Sequence, residues 1–243
     1  MIDVSRHGRV TVLTLARPDK HNALNIELCD LIRDSVETAS DARAIVITGR
    51  GPSFCSGADL DEVYTTEFRD HLYSMLHAVT EKPVPVIAAV SGAAIGAGTQ
   101  LAIAADFRMI APTARFSIPT ARIGLAVDPW TIRRLALLAG NGAARKMLLS
   151  CERIDANDAL ACGLADRRGT PVDAISWAET MTKLAPLTVA YSKHAINTVF
   201  EPELEPDVAA TLDRAFEACW ASDDFAEGRR SRAETRDPIF KGT

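Results

Sequence analysis

The chain is poor in the features that mark several protein classes. It has five cysteines among 243 residues (Cys29, Cys55, Cys151, Cys162 and Cys219), scattered, odd in number and without a Cys-x-x-Cys pair. That pattern argues against a disulfide framework or a zinc site and fits a reducing compartment, so a cytoplasmic location is expected. No basic cluster stands out against a net charge of −5, which argues against a nucleic-acid partner. The start, Met1-Ile2-Asp3-Val4-Ser5, lacks the basic lead and long apolar core of a signal peptide. His71 and His77 have no accompanying ligand constellation, so no metal site is expected. Internal repeats and low-complexity tracts are also lacking. One stretch, 84–105, is long and apolar enough for a bilayer span, but Pro83 and Pro85 stand at its start, and Gly92, Gly96, Gly98 and Gln100 interrupt it. A buried strand, a glycine turn and a buried helix are expected there instead.

What is present is an ample core. Apolar residues make up 47% of the chain and charged residues 24%, the balance of a folded domain. Val10–Leu15 alternates with period two, and Ala44–Gly49 and Val84–Val90 are short apolar strand candidates. Helix patterns separate them: one capped by Asn25 with Leu28, Leu31, Ile32 and Val36 on its apolar face, one near Phe68–Val79, and one over Thr99–Ala105. A further strand is expected over Phe107–Ile110. Alternation of this kind with continuous apolar strands implies an α/β fold around a largely parallel sheet. The second half reads as helical, over Asp128–Leu138, Ala143–Leu149, a short turn headed by Asp155 and stopped by Gly163, Ile175–Leu184, Thr188–Phe200 and Val208–Trp220. The proline-punctuated Glu201–Pro206 stretch is a hinge candidate.

Two segments carry chemistry: Phe54-Cys55-Ser56-Gly57-Ala58-Asp59-Leu60 and Ser91-Gly92-Ala93-Ala94-Ile95-Gly96-Ala97-Gly98-Thr99-Gln100. Each follows an apolar β-rich run and places small residues where a strand gives way to a helix, a junction that leaves N–H groups unpaired. Two such junctions side by side offer two donors to one oxygen, an oxyanion hole. The plainer alternative is a pair of tight turns. Gly-x-Gly-x-x-Gly and Gly-Lys-Ser/Thr are both missing, which disfavours a nucleotide-phosphate cradle.

With Arg17–Asn25, Gly124–Leu135 and the Ala159-Leu160-Ala161-Cys162-Gly163-Leu164-Ala165 signature, these segments form five ordered motifs, and the chain resembles the crotonase superfamily of enoyl-CoA hydratases and isomerases over almost its full length. The resemblance implies a spiral of ββα units over residues 1–185 that binds acyl-CoA, and a C-terminal helical region, 186–243, for trimerisation and pocket cover. It also implies a homotrimer or a dimer of trimers. The amides of Ala58 and Ala97 would be the oxyanion donors. Backbone groups around His21, Ala23, Leu24, Ala58, Asp59, Leu60 and Gly96 would meet the adenine, the pantetheine and the thioester. Arg17 and Lys20 would meet phosphates or remain solvated, and Phe240 and Lys241 loosely match an aromatic and a lysine that act across a subunit boundary. No separate cofactor is expected, coenzyme A being part of the ligand.

The chain departs from the hydratase pattern where acid–base chemistry is needed. Gln100 and Thr120 occupy the positions of the two glutamates, and loss of a general acid or base commonly costs ~10²–10⁴-fold each. Asp128 matches a catalytic aspartate of the dienoyl-CoA isomerases, but it is equally suited to cap the helix that begins at Pro129. Trp130 stands where many members have glycine; it would either take volume from the pocket or serve as a core or interface anchor. Cys55 is expected to be a packed thiol, Leu72, Met75, Leu76 and Val79 a core or acyl-lining stripe, and Arg229, Arg230, Arg232 and Arg236 a solvated or intersubunit face. Two functions follow: a fatty acyl-CoA enzyme of the hydratase/isomerase type in lipid metabolism with Asp128 as proton carrier, or a non-catalytic acyl-CoA carrier or sensor serving lipid-pathway enzymes.

Overall fold

The period-two run forms β2 (Val10–Leu15), which pairs antiparallel with an edge strand, β1 (Ile2–His7). The computed structural model describes residues 1–59, 63–200 and 204–243, with Phe200 as backbone only. After β2 comes α1 (Ile26–Thr38), started by the Asn25 side chain accepting from the Leu28 amide, with Leu28, Cys29, Ile32 and Val36 buried. Then follow β3 (Ala44–Gly49), α2 (Thr66–Glu81), β4 (Val86–Val90), β5 (Ala93–Ile95), α3 (Ala97–Ala104), β6 (Phe107–Ile110) and β7 (Arg115–Ser117). The segment of bilayer length is thus a strand, a short strand and a helix, and no helix among the described residues is long and apolar enough to cross a membrane.

The second half contains α4 (Pro129–Leu149), β8 (Ile154–Asp155), α5 (Ala156–Ala161), β9 (Arg167–Arg168), α6 (Pro171–Met181), α7 (Pro186–Phe200), α8 (Pro206–Trp220) and α9 (Asp223–Ala233). The two helices expected over 128–149 meet end to end at Gly140, whose φ of 76° breaks the helical path. Asp155 caps α5 through the amides of Asn157 and Asp158. Two expectations need correction: the helices begin earlier than read, at Pro171, Pro186 and Pro206, because proline suits the first turn, and Val208–Trp220 is not the last helix. α9 was hidden because its buried face is Glu227, Gly228 and Ser231, with no apolar periodicity to read. Of the expected hinge, residues 201–203 lie outside the described residues.

The main sheet runs β1-β2-β3-β4-β6-β9, parallel throughout except at β1. A smaller sheet, β5-β7-β8, stands apart from it. Apolar residues fill both faces of the main sheet, as a parallel sheet requires: Leu13, Leu15, Ile45, Ile47, Ala88 and Val90 pack with α1, α2 and α3, and Val10, Val12, Val46, Ile87 and Met109 pack with α6. Arg108 on β6 is 1% exposed, paired with Asp166 and donating to the carbonyls of Leu164 and Ala105, so its charge and donors are satisfied within the core.

Candidate active site

The two glycine segments lie against each other. Cys55 donates its amide to the Ala93 carbonyl at 2.9 Å and accepts at its own carbonyl from the Ile95 amide at 3.0 Å. This contact requires glycine at 98, where a Cβ would stand 2.2 Å from the Cys55 carbonyl oxygen. It also turns the chain at Gly57, whose φ is 113°. On the other side of the first segment, Leu24 and Ala58 form a parallel bridge in which the Leu24 amide donates to the Gly57 carbonyl and the Asp59 amide donates to the Leu24 carbonyl. That register leaves the Ala58 N–H on the opposite side. Ala97 is the first residue of α3, where helical geometry supplies no acceptor. Among the described residues neither amide donates a main-chain hydrogen bond, and both residues line the same cavity.

That cavity has a volume of about 220 Å³. Gln100 and Thr120 line it, with Tyr73 and Leu72 from α2, Val127 from the loop before α4, and Trp220 and Arg232 from the C-terminal helices. Its described lining contains no carboxylate. Asp128 stands behind this lining as the N-cap of α4, accepting from the Thr131 amide at 3.3 Å and from the Thr131 hydroxyl. Gln100 donates through Nε2 to the Thr131 hydroxyl at 2.8 Å and approaches Asp128 at 3.5 Å. Burial raises the Asp128 carboxyl above its ordinary range, and the Thr131 hydrogen bonds oppose that rise. The neighbouring Tyr73 phenol is pushed up by burial and, next, by the charge of Asp128, and it remains protonated near neutrality. A proton leaving Asp128 for the cavity would pass through Gln100, which cannot titrate, or along Tyr73.

The structure redirects several of the expected residues. Trp130 is not part of the lining of this cavity; its indole lies in a separate hollow beside His77, Thr80 and Tyr191, with the Arg134 guanidinium 5.6 Å from the ring centre. It therefore takes no volume from the chamber, which corrects the pocket-filling expectation. Arg17 is engaged with the protein itself, paired with Asp59 at 3.0 Å and donating to the Ala23 carbonyl, with side chains only 16% and 11% exposed for the pair. It organises the loop rather than reaching outward for phosphates. His21 adopts a left-handed conformation and contacts the Ser53 hydroxyl at 3.2 Å, and Lys20 is exposed. Ala23 and Leu24 are buried beside them, and Leu60 lies outside the described residues. Phe240 and Lys241 belong to the C-terminal tail, where the Lys241 amide donates to Asp224 on α9 at 2.6 Å.

Burial pushes the Cys55 thiol up to about 12, so no reactive thiolate forms near neutrality. His71 pairs with Asp30 at 2.7 Å and His77 with Glu81 at 3.2 Å, and no cluster of three metal-ligating side chains exists among the described residues. Sequence reasoning missed Arg69, Tyr73 and Trp220. Arg69 bridges α2 to α8, pairing with Glu217 at 3.0 Å and stacking over Phe216 and Trp220. The Trp220 indole N–H donates to the Ala126 carbonyl at 3.3 Å. Their sequence signal was weak: single residues on helices whose direction depends on packing. The C-terminal helices close on the chamber because glycines permit backbone contact, a Cβ at Gly228 falling 2.2 Å from the Ile123 carbonyl oxygen.

Only Ala97 stands at a strand–helix junction; Ala58 lies within the long loop between β3 and α2, held there by its bridge to Leu24, which corrects the expectation of two such junctions. A helix-covered parallel sheet that brings this loop and the start of α3 to one cavity is the architecture of the crotonase superfamily, and comparison with known proteins agrees. The enoyl-CoA hydratase/isomerase family profile matches residues 5–243. A Mycobacterium tuberculosis protein named "Probable enoyl-CoA hydratase echA6" is 41% identical over 245 residues, covering 100% of both chains. The crystal structure of an enoyl-CoA hydratase/isomerase from Pseudoalteromonas atlantica superposes with a TM-score of 0.89 at 30% identity, covering 99% of each chain. Methylmalonyl CoA decarboxylase, 22% identical, shares the fold with a TM-score of 0.92, covering 100% of this chain and 98% of its own. The chain belongs to the enoyl-CoA hydratase/isomerase family.

Proposed function

We propose that the protein binds fatty acyl-CoA thioesters with the carbonyl oxygen held between the amides of Ala58 and Ala97, and that ordinary hydration is disfavoured. The observation that carries this reading is that Ala58 and Ala97 line one cavity and that neither amide has a main-chain acceptor among the described residues. A thioester oxygen accepting from both would gain negative charge at little reorganisation cost, favouring an enolate and hence chemistry at the α and β carbons; one such donor is typically worth ~10²–10³ in rate. Hydration also needs proton transfer on both sides of the double bond, and the positions that would supply it hold Gln100 and Thr120. The second reading, a carrier or sensor that holds the thioester without turning it over, is favoured by the position of Asp128 behind the lining, engaged as a helix cap. The exposed apolar stripe of α7, with Leu187, Tyr191 and Ile196 outward, supports a homo-oligomer, as the family expectation has it.

Ala97→Pro tests the amide pair. Proline is tolerated at the first position of a helix and removes the N–H. The expected result is that the variant, with an unchanged circular-dichroism spectrum, loses the preference for a saturated acyl-CoA thioester over the matching thioether, which has no carbonyl. Retention of that preference would overturn the reading. Enoyl- and dienoyl-CoA turnover by the wild type separates enzyme from carrier.

A further inference from the structure

Ala58 and Ala97, whose amides have no main-chain acceptor, are held in different ways. Ala97 is aimed by its helix: the Gly96 carbonyl, which shares its peptide unit, accepts the Gln100 amide at 3.0 Å at the start of α3. Ala58 has no helix behind it, for it stands in the long loop between β3 and α2. A trans peptide unit is planar, with its C=O and N–H pointing in opposite directions. The Ala58 N–H therefore points away from whatever holds the Gly57 carbonyl, and that carbonyl accepts the Leu24 amide at 2.8 Å. The same rule applies one step back. The Leu24 N–H shares its peptide unit with the Ala23 carbonyl, which accepts from the Arg17 guanidinium. Both units are trans. The hydrogen bonds thus run in one sense, from Arg17 to Ala23 and from Leu24 to Gly57, and the Ala58 N–H continues it. Donors aligned in one direction polarise one another.

Arg17 is itself firmly seated. Its other terminal nitrogen pairs with Asp59 at 3.0 Å, and its amide donates to the Asn22 side chain at 2.9 Å. Asn22 is fully buried and donates through Nδ2 to the carbonyls of Arg50 and Ser53 at 2.9 and 2.8 Å. The guanidinium therefore grips both sides of the Leu24–Ala58 bridge, Ala23 on one and Asp59 on the other. We infer that Arg17 is a positioning residue for the thioester carbonyl, acting through two peptide units on the Ala58 amide without touching the ligand. This rests on the acyl-CoA reading above.

The test uses hexanoyl-CoA isotope-labelled at the carbonyl carbon, its thioether analogue and free coenzyme A, on the wild type, Arg17→Gln and Arg17→Lys. Isotope-edited infrared spectra read the polarisation of the bound carbonyl, and titration calorimetry reads affinity. The wild type should move the carbonyl band to lower frequency. Arg17→Gln should return the band toward its position in the free ligand and bind the thioester about ten-fold more weakly, the worth of one hydrogen bond to a charged group, while the thioether and free coenzyme A keep their wild-type affinities. Arg17→Lys, which keeps the charge but not the fork, should fall between the two. A wild-type band and thioester affinity in Arg17→Gln would overturn the inference. So would an equal loss of all three ligands, which would assign the arginine to the coenzyme's phosphates or to the fold at large. Should Arg17→Gln not fold, a wild-type band in Arg17→Lys would overturn it. An unshifted band in the wild type would remove the amide-pair reading itself, and the inference with it.

Discussion

The two ends of the chamber are built from different materials. The amide end is main chain: Ala58 and Ala97 contribute N–H groups that every residue except proline possesses, and their placement depends on Gly57 and Gly98 allowing the two loops to touch. The opposite chemical requirement, proton transfer, rests on side chains, and there Gln100, Thr131 and Asp128 form a closed hydrogen-bonded set behind or within the wall. A backbone device survives almost any substitution that keeps its loop geometry. A side-chain device is lost with one residue. Under the proposed function, the comparison accounts for a chain that polarises a thioester without the acid–base groups of a hydratase.

The most severe way to break the amide end is Gly98→Ala. The new Cβ would press on the Cys55 carbonyl, a backbone atom that cannot swing away, so the expected cost is about 1–3 kcal/mol of overpacking, seen as a fall in melting temperature of several degrees together with loss of thioester affinity. A wild-type melting curve with full binding would show that the loops are looser than the contact implies. The side-chain end should respond more mildly and in a manner that depends on chemistry. Asp128→Ala removes a helix cap and should cost about 1 kcal/mol, whereas Asp128→Asn, an equally good cap, should cost almost nothing. The sign with pH follows from burial. The Asp128 carboxyl is raised above its reference value of 3.8, so its stabilising contribution is complete below that value and is lost as pH rises through the folded one. Asp128→Asn, having no such loss, should therefore gain on the wild type between acid and neutral pH in denaturant titrations. A fixed difference between the two proteins across that range would contradict the buried-carboxyl account.

The smallest expected effect lies farthest from the chemistry. Glu227 is held well below its usual range by hydrogen bonds from Arg236, then from the Ile239 amide and Arg230. Its contribution is present above the ordinary carboxylate value of 4.5 and is lost as pH falls toward the folded value. Glu227→Gln should thus lower the melting temperature slightly at neutral pH, and the gap should close in acid. A gap that widens in acid would mean that the tail is anchored by something else.

How much of this was legible in the sequence divides along the same line. The amide loops could be read because a glycine that a close approach or a positive φ demands leaves a fixed mark in the chain, and the helices could be read where a capping residue or apolar period announced them. Side-chain direction left no such mark. Trp130 and Tyr73 are both large aromatic residues on helices near the chamber, yet packing turns the first toward His77 and Tyr191 and the second toward the cavity. Arg17 carries a charge that suits a phosphate, but Asp59, forty-two positions later, claims it through a contact that no local pattern encodes. α9 escaped notice because polar residues form its buried face, so Arg232 was read as part of a solvated or intersubunit face and not as a residue of the chamber.

The close seating of Gly228 on the Ile123 carbonyl has a practical corollary. The last helix is part of the chamber's wall, joined to the loop before α4 by a backbone contact that leaves no room for a side chain. Trimming the chain before Asp223 would therefore unroof the chamber.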